Sequence, residues 1–154
     1  MSVLAPGTPA PEFTLRDEAG QPFTRADLTG HTTVLVFYPF AFTSVCTDQL
    51  TLYQEVLPEI EAARARIYGV SCDTGHSQKA FREQLGVTIP QLSDFEPKGA
   101  TCRAFGVLHP GGFAERALVI LGPDGVVRWS HQADSLDELP GVNLLFDGIA
   151  AVAA

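Results

Sequence analysis

The sequence TVLVFYPFAFTSVCT, residues 33–47, contains the strand and the turn from which the rest of the fold can be inferred. Residues 33–38 are β-branched, aliphatic or aromatic without interruption, which is typical of a strand that is buried on both faces of a sheet. Pro39 ends this run, and Cys46 follows where a helix is expected to begin. Because the free N–H groups and the positive dipole end of a helix stabilise a thiolate, Cys46 is a candidate nucleophile.

Length and composition limit the possible classes of protein. The 154 residues are 45% hydrophobic, so we expect a single domain over residues 1–154. The net charge of -8 argues against nucleic acid or an anionic membrane as a partner. No apolar run reaches the roughly 18 residues that span a bilayer, and no signal-peptide pattern is present, so we expect a cytoplasmic location. Three cysteines without zinc-ligand spacing fit a reducing compartment.

The segment after Cys46 predicts a β-α-β unit. Apolar residues recur at helical spacing from Leu50 to Ile60, with a kink at Pro58, and residues 67–71 have the pattern of a second buried strand. A right-handed crossover makes the two strands parallel and brings Cys46 to their carboxyl ends. Open α/β sheets bind their ligands at that edge.

The flanking segments complete an α/β fold with a central mixed β-sheet, helices on its faces and an N-terminal β-hairpin. Gly86 and Gly106 are placed to end two helices. The further elements expected are a hairpin around residues 19–22, helices at 77–85 and 98–105, an antiparallel pair of strands at 117–121 and 126–129, and a final helix at 142–154.

Four spaced residues resemble the peroxiredoxin family. Pro39, Thr43 and Cys46 form the pattern P-x-x-x-T-x-x-C after a buried strand, and Arg116 opens a later strand. The companion phrases GVSCD (69–73), LSD (92–94) and FGV (105–107) also fit, so the resemblance covers nearly the whole chain. Within the family the sequence is similar to the alkyl hydroperoxide reductase E type, close to the bacterioferritin-comigratory group. This resemblance implies a thioredoxin-like fold and a thiol peroxidase without a cofactor or metal.

The resemblance also implies a role for each of the four residues. The Cys46 thiolate would attack hydrogen peroxide, an organic hydroperoxide or peroxynitrite and become a sulfenic acid. Thr43 would offer its hydroxyl to the sulfur and to the peroxide oxygen, and Arg116 would favour the thiolate and the leaving oxyanion. Pro39, which has no N–H, would shield the sulfur from water. Taken singly, Thr43 is explained as a helix N-cap, Pro39 as a strand terminator and Arg116 as a surface residue; together they favour catalysis.

Gln49 departs from the family pattern, because many members carry a glutamate there that pairs with an active-site arginine. The change leaves Arg116 less neutralised, which favours the thiolate but weakens the network that orients the arginine. The sequence also has Thr51 at the place where many bacterioferritin-comigratory proteins carry a resolving cysteine.

The route by which Cys46 returns to the thiol therefore stays open. Cys72 ends the second strand of the β-α-β unit, at the same edge of the sheet as Cys46, and is a candidate resolving cysteine. Cys102, in a short helix, is more typical of a buried apolar residue but is a second candidate. If neither forms a disulfide, thioredoxin, a mycoredoxin or a low-molecular-weight thiol would reduce Cys46 directly.

Other classes of protein use similar residues. A thioredoxin-type reductase needs a cysteine in place of Thr43, a non-enzymatic redox sensor would pass oxidation from Cys46 to a partner, and a holdase chaperone would assemble on oxidation. The four histidines lack the spacing of a metal site. The apolar surface of Phe40 and Phe42 suits the seam of a homodimer.

Overall fold

The computed structural model describes residues 2–153. Its strands are β1 (Thr14–Arg16), β2 (Pro22–Thr24), β3 (Thr32–Phe37), β4 (Ala65–Ser71), β5 (Gln91–Ser93), β6 (Ala117–Leu121) and β7 (Val127–Gln132). Its α-helices are α1 (Ser44–Glu55), α2 (Leu57–Ala62), α3 (Gly75–Leu85), α4 (Ala100–Ala104) and α5 (Val142–Ala153), and a 3-10 helix covers Arg25–Leu28. No helix among the described residues is both long and apolar enough to cross a membrane.

The seven strands form one mixed sheet in the order β2-β1-β5-β4-β3-β6-β7. β3 pairs in parallel with β4, with Phe37 opposite Val70, and antiparallel with β6, with Phe37 opposite Ala117. The carboxyl ends of β3 and β4 therefore meet the amino end of β6 at one edge of the sheet. The α/β fold, the N-terminal hairpin and the parallel β-α-β unit predicted from the sequence are confirmed.

Successive side chains of β3 pack alternately into two separate core layers. Leu35 and Phe37 pack with residues of β1 and α4 on one side of the sheet, here named the α4 face. Val34 and Val36 pack with residues of α1, α2, α3 and α5 on the other side, here named the α1 face. Because successive residues of a strand point to opposite faces, the continuous apolar run supplies both layers.

Several elements differ from the sequence expectations, among them the following. The helix expected to kink at Pro58 is two helices that meet at Val56, because proline lacks the N–H needed inside a helix but fits the first turn of α2. The strand β5 was not predicted, since its three residues are too few for a periodic pattern. α4 is shorter than the expected 98–105.

Candidate active site

The segment before α1 is held in place by the strands beside it. The N–H of Tyr38 donates to the carbonyl of Val70 at 3.0 Å, and the N–H of Ala41 donates to the Asp73 carboxylate at 2.8 Å. Phe42 has a left-handed backbone with a φ of 69°, which is uncommon for a residue with a side chain and is typical of functional loops. Thr43 returns the chain to an extended conformation as the N-cap of α1, which puts Cys46 in the first turn of that helix.

Arg116 holds the sulfur of Cys46. Its Nη2 donates to the Cys46 Sγ at 3.3 Å, its Nη1 donates to Gln49 Oε1 at 2.7 Å, and its Nε donates to the Leu136 carbonyl at 2.7 Å. Arg116 is 3% exposed and Cys46 is 0% exposed, so the pair is shielded from water. In the described part of the chain, no carboxylate lies within ion-pair distance of Arg116. The arginine is therefore a buried residue of this site and not a surface residue.

Gln49 is fixed at both ends of its amide. While Oε1 accepts from Arg116, Nε2 donates to the Tyr53 hydroxyl at 3.3 Å. The Tyr53 hydroxyl in turn donates to the Pro140 carbonyl at 2.7 Å, and burial raises the pKa of Tyr53 to about 12, so this hydroxyl keeps its proton. Cys46, Gln49 and Tyr53 lie on one face of α1 because they are spaced three and four residues apart. A neutral chain of hydrogen bonds thus orients the cation at the sulfur.

A pocket of about 170 Å³ opens between the start of α1 and the segment before α5, lined in part by Pro39, Thr43, Arg116 and Leu136. The Thr43 hydroxyl donates to the Phe40 carbonyl at 2.8 Å and makes no side-chain cap bond to α1. Its oxygen lone pairs are therefore available to accept a hydrogen bond. All four residues singled out from the sequence meet at this place, with the Cys46 sulfur bound to the arginine that lines the pocket.

The other two cysteines lie elsewhere. Cys72 is at the expected edge of the sheet, but it packs in the α4 face, whereas Cys46 packs in the α1 face. The partner of Cys72 is Cys102, with 4.0 Å between the two Sγ atoms. The structure therefore brings the two candidate resolving cysteines to each other and not to Cys46. Ligand atoms of Cys72, Cys102 and Asp94 all lie within 4.8 Å of one another, the one group in residues 2–153 with the spacing to hold a metal ion.

Tyr53, the Leu136 carbonyl and Asp73 were not identified as parts of the site from the sequence. Tyr53 lies at helical spacing from Cys46, and that pattern also fits a packed core residue. The Leu136 carbonyl carries no signal, because any residue supplies a backbone oxygen. Asp73 could have been identified from the sequence, because it directly follows the cysteine of the GVSCD phrase.

Comparisons with known proteins place this geometry among related sequences and structures. The AhpC/TSA family matches residues 6–130. Alkyl hydroperoxide reductase E of Mycobacterium tuberculosis is 34% identical over 154 residues, which cover 99% of this chain and 100% of that protein. The crystal structure of Enterococcus faecalis AhpC has a TM-score of 0.86 at 25% identity, covering 99% of this chain and 93% of that one. Peroxidoxin BcpB from Mycobacterium tuberculosis has a TM-score of 0.81 at 25% identity, with 99% and 97% covered. The thioredoxin-like fold expected from the sequence is confirmed.

Proposed function

Since the chain belongs to the AhpC/TSA family and is a thiol peroxidase of the peroxiredoxin type, we propose that Cys46 is its peroxidatic cysteine, assisted by Arg116, Thr43 and Pro39. The observation that carries this proposal is the hydrogen bond of 3.3 Å from the Arg116 guanidinium to the Cys46 sulfur, with both residues buried. A guanidinium is always charged, and burial strengthens its attraction for a thiolate.

The thiolate of Cys46 attacks one oxygen of the peroxide as the O–O bond breaks. The sulfur gains that oxygen and becomes a sulfenic acid, while the second oxygen leaves with the bonding pair and takes a proton to give water or an alcohol. Arg116, already at the sulfur, stabilises the charge on the leaving oxygen. Because the Thr43 hydroxyl proton is directed at Phe40, the Thr43 oxygen accepts a hydrogen bond from the bound peroxide and aligns it.

The pocket and the burial of the sulfur restrict which peroxides enter. A volume of about 170 Å³ suits hydrogen peroxide, peroxynitrite and small organic hydroperoxides. Pro39, which is buried beside the pocket, offers no N–H that would hold competing water. We expect the rate of reduction to fall as the organic group of a hydroperoxide grows.

We also propose that an external thiol reduces the sulfenic acid, either a thioredoxin, a mycoredoxin or a low-molecular-weight thiol. The separation of Cys46 and Cys72 onto opposite faces of the sheet supports this route, because a disulfide requires Cα atoms within about 7 Å and side chains that face each other. A one-domain enzyme acting in the cytoplasm, where such thiols are abundant, fits this chemistry.

A homodimer seam beside the pocket is a further part of this proposal. Phe40 is 43% exposed and Phe42 is 53% exposed, and the Phe40 ring lies 4.7 Å from the ring of Phe113. Apolar side chains clustered on a surface favour protein contacts. A second copy covering these rings would bury them next to the pocket.

The experiment that tests the peroxidatic role follows peroxide consumption with a thiol reductant for the wild type and for Cys46→Ser. Many turnovers are expected for the wild type, and far slower consumption of peroxide for Cys46→Ser. The matched control is Cys102→Ser, which makes the same substitution at a buried cysteine on the other face of the sheet. A wild type that stops after one equivalent of peroxide would contradict turnover and favour the redox sensor. Turnover in Cys46→Ser at the wild-type rate would refute the assignment.

A further inference from the structure

Cys72 and Cys102, here named the second cysteine pair, lie in contact although 30 residues separate them in the chain. In the parallel pairing of β4 with β5, Ser71 lies opposite Ser93, so Cys72 and Asp94 leave the two strands side by side. This register brings Asp94 to the place where α4 begins.

Asp94 positions the second cysteine of the pair. Its Oδ2 accepts from the backbone N–H of Cys102 at 2.8 Å, and its Oδ1 accepts from the N–H of Thr101 at 3.0 Å. The carboxylate is 3% exposed and thus fixes the first turn of α4 onto the ends of β4 and β5. The Cys102 side chain is thereby set against Cys72, with 4.0 Å between the sulfurs.

The two thiols differ in access and in acidity. Cys72 is 6% exposed, whereas Cys102 is 0% exposed, so a small oxidant meets the Cys72 sulfur first. A hydrogen bond from the Cys102 thiol lowers the pKa of Cys72 despite its burial, and Lys98 acts in the same direction. The same hydrogen bond, together with burial and the charge of Asp94, raises the pKa of Cys102. The less deeply buried member, Cys72, is thus assigned as the nucleophile, and Cys102 keeps its proton.

We propose that the second cysteine pair is a redox-active site, separate from Cys46, which closes into an intramolecular disulfide when a peroxide oxidises Cys72. The Cys72 thiolate attacks a peroxide oxygen, the O–O bond breaks, and water or an alcohol leaves as Cys72 becomes a sulfenic acid. The sulfur of Cys102 then attacks Cys72, the S–O bond breaks, and the hydroxyl leaves with the Cys102 proton as water. One peroxide is reduced and two thiols are oxidised to one disulfide.

The surroundings favour a disulfide over a metal ion at this site. Both oxygens of Asp94 already accept backbone N–H groups, and the cationic Lys98 acts on the sulfur that a metal would need. Disulfide formation needs no third ligand, and the sulfurs have to approach from 4.0 Å to about 2.0 Å. The oxidant is the peroxide that this family reduces, so the pair shares the enzyme's substrate but not its active site.

The test uses the full-length Cys46→Ser variant, in which Cys72 and Cys102 are the only thiols. The reduced protein is treated with hydrogen peroxide, denatured in an alkylating agent and analysed by intact mass and peptide mapping. The expected result is the loss of two hydrogen atoms, the loss of both alkylation sites and a cross-linked peptide that joins Cys72 to Cys102. The same cross-link is expected in peroxide-treated wild type, which would show that the cross-link does not result from an effect of the Cys46→Ser substitution on folding.

Two matched variants in the Cys46→Ser background assign the order of attack. In the Cys46→Ser, Cys102→Ser double variant, a 1,3-dione reagent that reacts with sulfenic acids should label Cys72. With Cys72→Ser added, the buried Cys102 should stay fully alkylatable. Two free thiols after peroxide, or a wild-type cross-link between Cys46 and Cys72, would overturn the proposal. So would stoichiometric zinc that co-purifies and blocks both thiols. Failure of the peroxidatic assignment would appear separately, as peroxide turnover that survives in the Cys46→Ser, Cys72→Ser double variant, which lacks both proposed nucleophiles.

Discussion

Replacing Arg116 by methionine tests how much the buried guanidinium contributes to peroxide reduction. Methionine has a similar unbranched length but has neither the charge nor the donors that reach Cys46, Gln49 and the Leu136 carbonyl. At 3.3 Å from the sulfur, the lost contact is a charged hydrogen bond, worth about 1.5–3 kcal/mol net. With about 1.4 kcal/mol per tenfold change, the rate constant should fall by roughly 10- to 150-fold from this contact alone.

Loss of the oxyanion stabilisation increases the expected effect. Removal of one donor that acts on a developing oxyanion costs about 100- to 1,000-fold in other enzymes. We therefore expect a reduction of about 100- to 1,000-fold in the second-order rate constant for hydrogen peroxide, measured by stopped-flow consumption at a fixed pH. Arg116→Lys keeps the charge but not the fork that binds both Cys46 and Gln49, and should fall between the wild type and Arg116→Met.

Arg128→Met is the matched control for Arg116→Met. Arg128 lies on the exposed end of the β6–β7 hairpin, where its guanidinium pairs with Asp124, so the same substitution should leave the rate unchanged. Thermal unfolding of each variant separates lost chemistry from lost structure, since Arg116→Met leaves the buried Gln49 Oε1 and the partly buried Leu136 carbonyl without this donor. A rate within threefold of the wild type in folded Arg116→Met would refute the role assigned to this arginine.

Four further predictions address the groups around the two thiol sites. Gln49→Glu places a carboxylate against Arg116 that competes with the thiolate, so alkylation of the active-site cysteine should slow by about 3- to 10-fold; faster alkylation would contradict this. Thr43→Val should lower the peroxide rate constant about 10-fold or more while Thr43→Ser retains it, and equal rates for the two would argue against hydrogen bonding. Asp94→Ala leaves two buried N–H groups unpaired and should reduce the free energy of unfolding by about 2–4 kcal/mol in denaturant titrations, whereas exposed Asp147→Ala should not. Oxidation of the second cysteine pair closes a loop spanning 30 residues and should raise the free energy of unfolding by about 3–4 kcal/mol, and an unchanged midpoint would contradict the closed loop.

The sequence was sufficient for the β-α-β unit and for the residues at its carboxyl edge. The uninterrupted apolar run of β3 predicts a sheet covered on both faces. Because Pro39 ends the run and a helix follows, Cys46 is expected in the first turn of that helix, at the carboxyl end of β3. The contacts of Arg116 could not be predicted from the sequence, because Gln49 and Leu136 belong to distant segments and helix packing decides how closely those segments approach. Sequence patterns give the elements, while the distance between two side chains depends on how those elements pack.

The position of Cys72 is the most instructive failure of sequence reasoning. Its edge of the sheet was predicted correctly, but its face was not considered. Val70 in β4 and Cys72, the residue directly after β4, share one side because successive side chains alternate, and Val70 lies opposite Phe37 of the α4 face. The register between β3 and β4 thus decides which cysteine Cys72 can meet, and a shift of one residue would have turned it towards the α1 face.

The alternation of side chains along the strands explains why the three buried cysteines lie as one single thiol and one pair. Tyr38 follows Phe37 and packs with Cys46 in the α1 face, whereas Cys72 packs with Cys102 in the α4 face. The sheet lies between the two layers, which supports the proposal that an external thiol reduces the Cys46 sulfenic acid. The same barrier allows the second cysteine pair to hold its own oxidation state. The redox potential of the Cys72–Cys102 disulfide, titrated against a thiol–disulfide buffer, should therefore be the same in the wild type and in Cys46→Ser, and a shifted potential would contradict the separation of the two sites.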